Sequence, residues 1–516
     1  MREWFLQYSA SFSGIFFLRQ VLVILAIFLL GFLITLISSP DGKIIKCAIL
    51  AFPTGLSLFV ILGCMVLLTG IPYNTWVILA LYIIAFAICF VFLNKKQTLK
   101  KIFEKGNLKI LFMIFGAVVV LACIATSGLV PVSISNDSFY YFHEYPRDIV
   151  YFGGLRDQFD SFLTDVGFGA VTMETLPFLF GFNESFGIRE FMHMDFTAFF
   201  VYGVYEKSET ICDRKKCLLL SLLCGLILAF SSPVFVLGHW VMANMYFMEY
   251  FFMAAVLMYQ AGRIERKDDT LSVLPAMIIL VACSLMRMEG GIFILFLLSC
   301  LTVLRLRKGE LLGMSLVILL LVGGYSLKIY MLYKIDNPYT FLTPEKAVLQ
   351  AGAFMAMIIY IAFLRDFINR KIGKLLPFII LLGLILGNGV LLLYNSELYI
   401  TNLKAFYGNL TRQSGWGMLP YLVLSSVIII TVCDIEAVLH KEGKLLVAGD
   451  FELSFYTLLT IGFLLVTLAV SFMRGDALMA EIGDSGNRVL LQITPLLLYT
   501  LMLYFIKIYE RFKQNN

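Results

Sequence analysis

Long apolar runs separated by short polar segments extend from one end of the chain to the other. A helix that crosses the hydrocarbon core of a bilayer needs about 20 apolar residues, and the sequence holds about fifteen runs of this kind. We therefore predict an all-α fold, a polytopic bundle of about fifteen transmembrane helices. The predicted helices cover approximately residues 17–37, 45–69, 72–93, 111–129, 186–205, 218–235, 243–260, 271–286, 291–304, 311–332, 347–364, 375–394, 418–432, 453–472 and 489–508.

The composition agrees with this pattern. Of the 516 residues, 60% are hydrophobic and 15% are charged, whereas soluble domains have about 25% charged residues. The apolar runs leave no long stretch for a separate soluble domain. The net charge of +5 is a sum over many loops and gives no indication of nucleic acid, so the expected surroundings are membrane lipids.

The lengths of the polar segments divide the chain into three parts. We predict an amino-terminal transmembrane unit of about four helices over residues 1–130 and a main bundle of about eleven helices over residues 186–516. Between them lies the longest polar segment, residues 131–185, which we predict to be an outer loop with interfacial amphipathic helices.

Lysine and arginine in short loops indicate which helix ends stay in the cytoplasm, because these residues resist translocation. The loop 94–109 is strongly basic, and if it is cytoplasmic, strict alternation places most other basic clusters on the same side. Those clusters lie near residues 43–46, 207–216, 263–267, 305–308, 365–374, 441–444 and 507–513. The pattern predicts an integral membrane protein with its amino terminus outside and its carboxyl terminus in the cytoplasm. The expected location is a bacterial plasma membrane, although the pattern itself does not identify the host.

The predicted outer loop contains polar residues that topology does not explain. Asn136 and Asp137 precede an aromatic and acidic run with Tyr140, Tyr141, His143 and Glu144. The histidine and the glutamate are further acid or base candidates. The tyrosines can stack on a sugar, although aromatic side chains also anchor proteins at membrane interfaces.

Asp137 has two interpretations. It, or its neighbour Asn136, caps the short helix that follows by accepting hydrogen bonds from free backbone amides. Alternatively, Asp137 is a general base that removes the proton from a hydroxyl group as the hydroxyl attacks a sugar. The choice depends on the other residues of the outer face.

The residues after Pro146 predict an interfacial helix. Phe152, Leu155, Phe159 and Phe162 recur at spacings of three and four. This spacing is typical of the apolar face of an amphipathic helix that lies in the membrane interface. Such a helix would cover a cleft open to lipid, and the alternative is a surface helix that only fills the loop.

Charged residues also mark the outer ends of later helices. Arg287 and Glu289 lie between two apolar runs, and Asn487 and Arg488 precede the last run, with Arg474 upstream. A charge at membrane depth costs about 2.5–3.5 kcal/mol and therefore usually has a partner or a function. Arginine binds phosphate through a planar, bidentate fork. Alternatively, Arg287 and Glu289 pair with each other within an interfacial turn.

Two further positions are weaker candidates. Arg412, with Lys404 and Tyr407, lies in the predicted outer loop 395–417, where it either binds a phosphate or an anionic acceptor or belongs to a solvated loop. His193 and Asp195 lie early in the fifth apolar run. They predict either a polar contact within the bundle or a part of an acceptor site.

Three segments together give the chain a family resemblance. An acidic residue in an aromatic outer loop (135–138), an Arg-x-Glu-Gly at an outer helix end (287–290) and an Asn-Arg before a proline-containing apolar helix (484–495) resemble the GT-C superfamily of membrane glycosyltransferases. The resemblance implies a polyprenyl-phosphate-linked sugar donor and an acceptor at the outer face. It also implies that Asp137 is the base and that Arg287 and Arg488 bind the donor phosphate, with Arg474 as a further candidate.

The implied reaction moves the sugar to a hydroxyl group of a cell-envelope glycan, a lipid or a protein. A single displacement with inversion follows, since no second carboxylate is required as a nucleophile. Asn136, Glu289, Asn487 and Arg412 are then supporting or acceptor-binding residues.

The resemblance also bears on cofactors. The outer loops lack an Asp-x-Asp, which points to the metal-independent branch of the superfamily, with no cofactor required. A divalent cation held by Asp137, His143 and Glu144 is the alternative. In one respect the chain departs from the family pattern, because the acidic loop follows about four predicted helices instead of the first.

Two other classes of protein stay open. A lipid-linked glycan polymerase or ligase would place many cationic side chains in one large outer loop, whereas the loop here is acidic and aromatic. A flippase or transporter of lipid-linked sugars would place ionisable residues along a path through the middle of the membrane.

The orientation of the chain gives a first prediction. We expect a tag at Asn516 to be accessible from the cytoplasm, because the carboxyl-terminal segment is basic. In the variant Ser161→Cys, an impermeant thiol reagent added from outside should label the new cysteine. Labelling of Ser161→Cys only after permeabilisation would overturn the topology and the side of the membrane assigned to the site.

Overall fold

The computed structural model describes residues 14–39, 43–95, 105–127, 140–155, 167–182, 186–209, 211–238, 242–263, 270–333, 343–411, 416–437, 446–474 and 489–515. Within these ranges every regular element is a helix. Ten helical segments within these ranges are long and apolar enough to cross a membrane, and two of the ten join consecutive helices. The chain therefore folds as an all-α polytopic bundle, as the sequence predicts.

The helices are numbered in chain order. They are α1 Gly14–Ser38, α2 Ile44–Ile49, α3 Ala51–Thr69, α4 Thr75–Lys95, α5 Lys105–Thr126, α6 Tyr145–Phe152, α7 Phe168–Met173, α8 Leu176–Phe180, α9 Phe186–Ser208, α10 Arg214–Ala229, α11 Ser232–Gly238, α12 Ala243–Arg263, α13 Leu274–Met286, α14 Gly290–Leu301, α15 Lys308–Tyr333, α16 Pro344–Ile359, α17 Arg365–Ile372, α18 Leu376–Tyr394, α19 Ser396–Thr411, α20 Leu419–Ala437, α21 Leu446–Gly449, α22 Phe451–Arg474 and α23 Thr494–Asn515. A π-helical turn, Tyr140–Glu144, precedes α6, and a second one, Tyr360–Leu364, follows α16.

The ten candidate spans do not include all of the predicted transmembrane runs. The other runs form α9, α10, α12, α13 and α14, which are shorter or contain more polar residues. The count of about fifteen spans therefore stays a prediction.

The described helices group into two compact units. Unit 1 comprises the described residues within 1–196, 239–291 and 313–355, and unit 2 comprises those within 197–238, 292–312 and 356–516. Each unit draws on distant parts of the chain. The division into three continuous segments stays a prediction.

Unit 1 contains a close crossing of α1 and α3. Gly55 in α3 lies against the carbonyl of Ile27, and Gly31 in α1 lies against the carbonyl of Ala51, so a Cβ atom at either glycine would collide with backbone. Small residues let membrane helices approach closely and gain van der Waals contact. Helices α12 and α13 pack on each other, and α13 also packs on α3.

Part of the predicted outer loop folds into unit 1. The side chains of α7 are buried, and the ring of Phe168 stacks on Tyr325 at 4.2 Å between centroids. Gly167 lies so close to the carbonyl of Met286 that no Cβ atom fits there. Residues 167–182 are therefore packed within the bundle, a placement that the hydrophobic pattern did not indicate.

The predicted interfacial helix is shorter than its apolar repeat. Helix α6 ends at Phe152, because the next two residues, Gly153 and Gly154, have φ angles of 69° and 155°. A right-handed helix requires negative φ angles and cannot continue through such residues. Leu155 lies beyond the helix, so the prediction of one continuous helix is wrong at this point. The later members of the repeat, Phe159 and Phe162, lie outside the described residues.

The segment 395–417 is also more regular than predicted. Its residues Ser396–Thr411 form α19, so the alternative of a solvated loop is wrong over this range. The Oδ1 atom of Asn395 accepts a hydrogen bond from the amide of Leu398 at 3.1 Å, which is how asparagine caps the start of a helix. Lys404 and Tyr407 are exposed on this helix.

In unit 2, a buried arginine binds the chain where α14 ends. The guanidinium group of Arg365, which is 4% exposed, donates hydrogen bonds to the carbonyls of Thr302, Leu304 and Leu306. Carbonyl groups at the end of a helix have no partner in the helix itself. Arg365 therefore has a structural role in addition to its place in a basic cluster of the sequence.

The crossing of α1 and α3 gives a prediction about stability. In Gly55→Ala the added methyl group would meet the Ile27 carbonyl, so we expect the free energy of unfolding to fall by about 1–3 kcal/mol, a usual cost of overpacking. The measurement is thermal unfolding of the purified protein in detergent. Gly116→Ala in α5 is the matched control, because no neighbouring helix lies within 4 Å of its added methyl group. Equal unfolding midpoints for the two variants would contradict the close crossing.

Candidate functional site

The predicted site residues fall into three groups. The structure describes the side chains of Tyr141, His143, Glu144, Arg287 and Glu289, all in unit 1. It describes the backbone of Tyr140, at the start of a π-helical turn, and of Arg474, at the end of α22. The others lie outside the described residues: Asn136, Asp137, Arg412, Asn487 and Arg488.

Arg287 and Glu289 form a largely buried ion pair in the turn between α13 and α14. Helix α13 ends at Met286, Arg287 has an extended backbone, and α14 begins at Gly290. The Nε atom of Arg287 donates to Oε1 of Glu289 at 2.7 Å, and Nη2 contacts the same oxygen. The two side chains are 12% and 2% exposed. The predicted pairing within the turn is confirmed, but the pair is buried within the protein.

Two other segments of unit 1 enclose this turn. Gly167, at the start of α7, packs against the backbone of Arg287. Gly290 lies beside the ring of Phe247 in α12. The arginine turn is therefore held between a segment of the predicted outer loop and a helix that begins about 40 residues earlier in the chain.

A polar side chain lies next to the same turn. The amide nitrogen of Gln350 is adjacent to Gly291, and among the described residues this buried donor has no hydrogen-bond partner. Leaving a buried donor without a partner is costly. The amide group of Gln350 would thus be stabilised by a ligand that offers an oxygen atom beside the turn.

A second set of buried polar residues in unit 1 was largely missed by the sequence analysis. We call it the buried polar cluster. It comprises Glu174 directly after α7, Arg189, Glu190 and His193 in α9, and Tyr246 and Glu249 in α12. His193, whose side chain is 27% exposed, is the one member that is not buried.

The first contacts of the buried polar cluster join α7 to α12. The hydroxyl group of Tyr246 donates to Oε1 of Glu174 at 2.5 Å. Nη2 of Arg189 lies 3.6 Å from Oε1 of Glu190. Arg189 also interacts electrostatically with both Tyr246 and Glu249, so these residues form one connected set.

A histidine joins α9 to α12. Nδ1 of His193 lies 3.0 Å from Oε1 of Glu249, which confirms the predicted polar contact within the bundle. Asp195, two residues along α9, interacts electrostatically with Glu249. Its Oδ2 atom is buried and has no hydrogen-bond partner among the described residues.

The buried polar cluster holds more carboxylates than cations. Its three glutamates and its arginine are each at most 6% exposed. A membrane protein retains such charges at a cost and usually at a functional position. Carboxylates in excess are stabilised by shared protons or by hydroxyl donors such as Tyr246, so the cluster has the chemistry to exchange protons with a ligand or to bind its hydroxyl groups.

The aromatic and acidic run also belongs to unit 1. The ring of His143 meets the ring of Phe178 edge to face at 5.4 Å, and Glu144 lies 3.9 Å from Arg147. The π-helical turn Tyr140–Glu144 packs on α7. The turn that begins three residues after Asp137 therefore packs on the segment that contacts the arginine turn.

The missed residues did have a signal in the sequence. Glu174, Arg189, Glu190 and Glu249 are charged residues within or beside otherwise apolar stretches, and such residues in membrane helices are functional candidates by default. Their spacing along the chain does not show that α7, α9 and α12 meet. Only their placement in unit 1 identifies them as one set.

No group of three or more His, Cys, Asp or Glu side chains within the described part of the chain is placed to hold a metal ion. Independence from metal ions and cofactors stays a prediction. Comparison of the chain with protein-family models, with curated proteins and with solved structures finds no match.

Proposed function

We propose that this chain is a membrane glycosyltransferase. It moves a sugar from a polyprenyl-phosphate-linked donor to a hydroxyl group of a cell-envelope glycan, a lipid or a protein at the outer face of a bacterial plasma membrane. The main support is that arginines, carboxylates and a histidine, most of them buried, occur together in unit 1 of a largely apolar protein. Sugar transfer from a phosphate needs positive charge at the leaving group and a base at the acceptor, and unit 1 contains both kinds of group.

Arg287 is the first candidate for the donor phosphate. As the bond between sugar and phosphate breaks, negative charge develops on the phosphate oxygen, and a fixed guanidinium group nearby stabilises it. Glu289 orients the Arg287 side chain, so the positive charge is in place before the donor binds. Gln350 provides a neutral donor beside the same turn. Arg488 and Arg474 are the further candidates that the resemblance implies.

Asp137 is the proposed base. It precedes Tyr140 by three residues, and the turn that begins at Tyr140 packs on α7. Since Gly167 before α7 contacts the backbone of Arg287, this connection supports a site in which base and phosphate ligand belong to one unit. The acceptor oxygen gives its proton to the Asp137 carboxylate and bonds to the sugar carbon while the lipid phosphate leaves with the electrons of the broken bond.

The remaining predicted residues are proposed for the acceptor side or for support. The buried polar cluster would bind hydroxyl groups of the sugar or the acceptor. The other residues proposed for these tasks are Asn136, Tyr140, Tyr141, His143, Glu144, Glu289, Arg412 and Asn487.

The length of α13 is consistent with a phosphate site in the outer part of the membrane. Together with the 3-10 turn that precedes it, the apolar helix runs from Leu271 to Met286. It rises about 24 Å at 1.5 Å per residue, less than the roughly 30 Å of the hydrocarbon core. If α13 starts at the cytoplasmic side, as the basic residues before it predict, Arg287 lies below the outer surface. A lipid phosphate would approach it from the outer leaflet.

A flippase for lipid-linked sugars is the second candidate function, and one observation favours it. His193, Asp195 and Glu249 are ionisable residues within helices of the bundle, as expected for a proton-linked transport path. Vesicles that contain the purified protein separate the two candidates. Movement of lipid-linked sugar across the membrane without any transfer to an acceptor would favour the flippase.

Replacing the proposed base is the direct test of enzymatic function. Asp137→Asn keeps the size of the side chain but removes the basic oxygen, so we expect sugar transfer from a synthetic polyprenyl-phosphate donor to fall by about 10²–10⁴-fold. Donor binding should survive. If Asp137 were only a helix cap, asparagine would replace it well, and transfer would be nearly normal.

The matched control for this variant is Asp148→Asn. Asp148 lies in α6, is partly exposed and pairs with the exposed Arg147 at 3.1 Å, so the same loss of charge occurs in the same region of the chain. Transfer by Asp148→Asn should stay close to wild type. An equal loss in both variants would remove Asp137 from the proposed mechanism.

Replacing the proposed phosphate ligand gives a separate prediction. Arg287→Lys keeps the charge but loses the planar fork, so we expect the dissociation constant for the donor to rise by about tenfold or more. The measurement is donor binding at equilibrium, with thermal unfolding recorded in parallel because the pair is buried. Arg147→Lys, at an exposed position, is the control. Unchanged donor binding in a normally folded Arg287→Lys would move the phosphate site toward Arg412 or Arg474.

A further inference from the structure

A groove in unit 2 is lined almost entirely by apolar side chains. It has a volume of about 330 Å³ and lies between α10, α20 and α23. Ligand-binding cavities typically have about 300–1,000 Å³, so the groove can hold a ligand. Since α20 and α23 are both long and apolar enough to cross a membrane, the groove lies at the depth of the hydrocarbon chains.

The groove has a buried floor and an exposed rim. Phe200, Leu498 and Met502 form part of the floor and are at most 8% exposed. At the rim, Leu422 and Phe505 are 40% and 38% exposed. In a protein that spans a membrane, an apolar groove with an open rim is filled by hydrocarbon rather than by water.

Two polar side chains along the groove have little hydrogen-bonding capacity left for a ligand. The hydroxyl group of Ser426 donates to the carbonyl of Leu422 in its own helix at 2.8 Å. The thiol of Cys224 is a weak hydrogen-bond donor. The groove thus offers hydrophobic contact and little else, which suits an acyl chain.

The length of the groove corresponds to one leaflet. Its lining residues in α23 run from Leu498 to Tyr509, a rise of about 16 Å at 1.5 Å per residue. This is about half of the roughly 30 Å thickness of the hydrocarbon core. An acyl chain of a phospholipid has this length, whereas a polyprenyl chain of many isoprene units is several times longer.

Ion pairs show that Tyr509 and Cys212 line the same end of the groove. Lys207, near the end of α9, pairs with Glu452 at 2.5 Å. Lys507 in α23 pairs with Asp450 at 3.4 Å. Because both acidic residues lie at the start of α22, the chain that follows Lys207 lies at the same end of unit 2 as Tyr509.

This end of the groove carries exposed positive charge. Helix α10 begins two residues after Cys212, and its first three residues, Arg214, Lys215 and Lys216, are exposed. Lys513, one turn beyond Tyr509 in α23, is also exposed. The neighbouring Asp213 uses its carboxylate to cap α10 by accepting from the amide of Lys216 at 3.3 Å. These four cations therefore lie at the same end of unit 2 as this end of the groove, where Glu209 and Glu436 are exposed carboxylates.

We infer that this groove binds an anionic phospholipid of the surrounding leaflet. One acyl chain occupies the groove, and the phosphate group lies at the basic end formed by Arg214, Lys215, Lys216 and Lys513. Positive side chains near a membrane surface attract anionic lipids, with about a fivefold gain in affinity for each charge. This binding site is independent of the proposed sugar transfer.

The acyl-chain part is tested by filling the groove. In Ser426→Phe the added ring would occupy the groove, so we expect binding of phosphatidylglycerol, measured by native mass spectrometry of the protein in detergent, to weaken by about tenfold or more. Ser425→Phe is the matched control. Ser425 is the preceding residue of α20, is exposed, and also donates to a carbonyl of its own helix. Equal binding by the two variants would overturn the inference.

The headgroup part is tested by removing charge. Wild type should bind phosphatidylglycerol more tightly than phosphatidylcholine, and Lys215→Gln with Lys216→Gln should reduce this preference by about fivefold for each charge. The double variant Lys371→Gln with Lys374→Gln removes two exposed lysines elsewhere in unit 2 and should keep the preference. Equal binding of the two lipids by wild type would overturn the assignment of an anionic phospholipid.

A third measurement needs no variant and therefore does not depend on folding of Ser426→Phe. Phosphatidylglycerol with a photoactivatable group on its acyl chain should label wild-type peptides from α10, α20 and α23. Even labelling of all candidate spans would contradict a specific site. Displacement of the probe by polyprenyl phosphate, but not by unlabelled phosphatidylglycerol, would show that the occupant is not a phospholipid.

Discussion

A charged side chain within a membrane bundle is stable only if the protein itself supplies a partner, because lipid tails supply none. In unit 1 this constraint pairs Arg287 with Glu289 and His193 with Glu249. The second pair joins α9 to α12, and the turn of the first is enclosed by the start of α7 and by α12. Much of the arrangement of unit 1 thus follows from the need to satisfy charges that apolar packing alone would exclude.

Two arginines of low exposure differ in what their charge contacts. Arg365 in unit 2 donates to three carbonyl groups and thereby satisfies backbone that follows the end of a helix. Arg287 instead faces a carboxylate, and beside the same turn the amide nitrogen of Gln350 has no hydrogen-bond partner among the described residues. Polar groups that the described protein leaves unsatisfied have a reason to bind a ligand. For this reason the proposed chemistry belongs to unit 1.

The apolar surface of unit 2 has a different use. Its helices have no need to bury every hydrophobic side chain, because the surrounding lipid solvates them. A groove with a buried floor is nevertheless distinct from a flat lipid-facing surface, since an acyl chain within it gains contacts on several sides. The exposed cations at one end give this contact a preferred headgroup. The lipid and the protein would then form a defined complex, separate from the proposed complex with the sugar donor and the acceptor.

Hydrophobic runs and their lengths were enough to determine the helical, membrane-spanning character of the protein, because both depend on residues that are neighbours in the chain. The pairing of Arg287 with Glu289 was accessible for the same reason, since only Met288 separates them. The end of α6 at Gly153 was missed because the apolar repeat continued through it, although the glycine pair was visible in the sequence. The burial of α7, the buried polar cluster and the groove were decided only by tertiary structure. Glu174 and Tyr246, for example, are 72 residues apart. No local pattern shows which distant segments approach each other. Their approach depends on the packing of whole helices and on where small residues such as Gly55 and Gly167 allow backbones to meet.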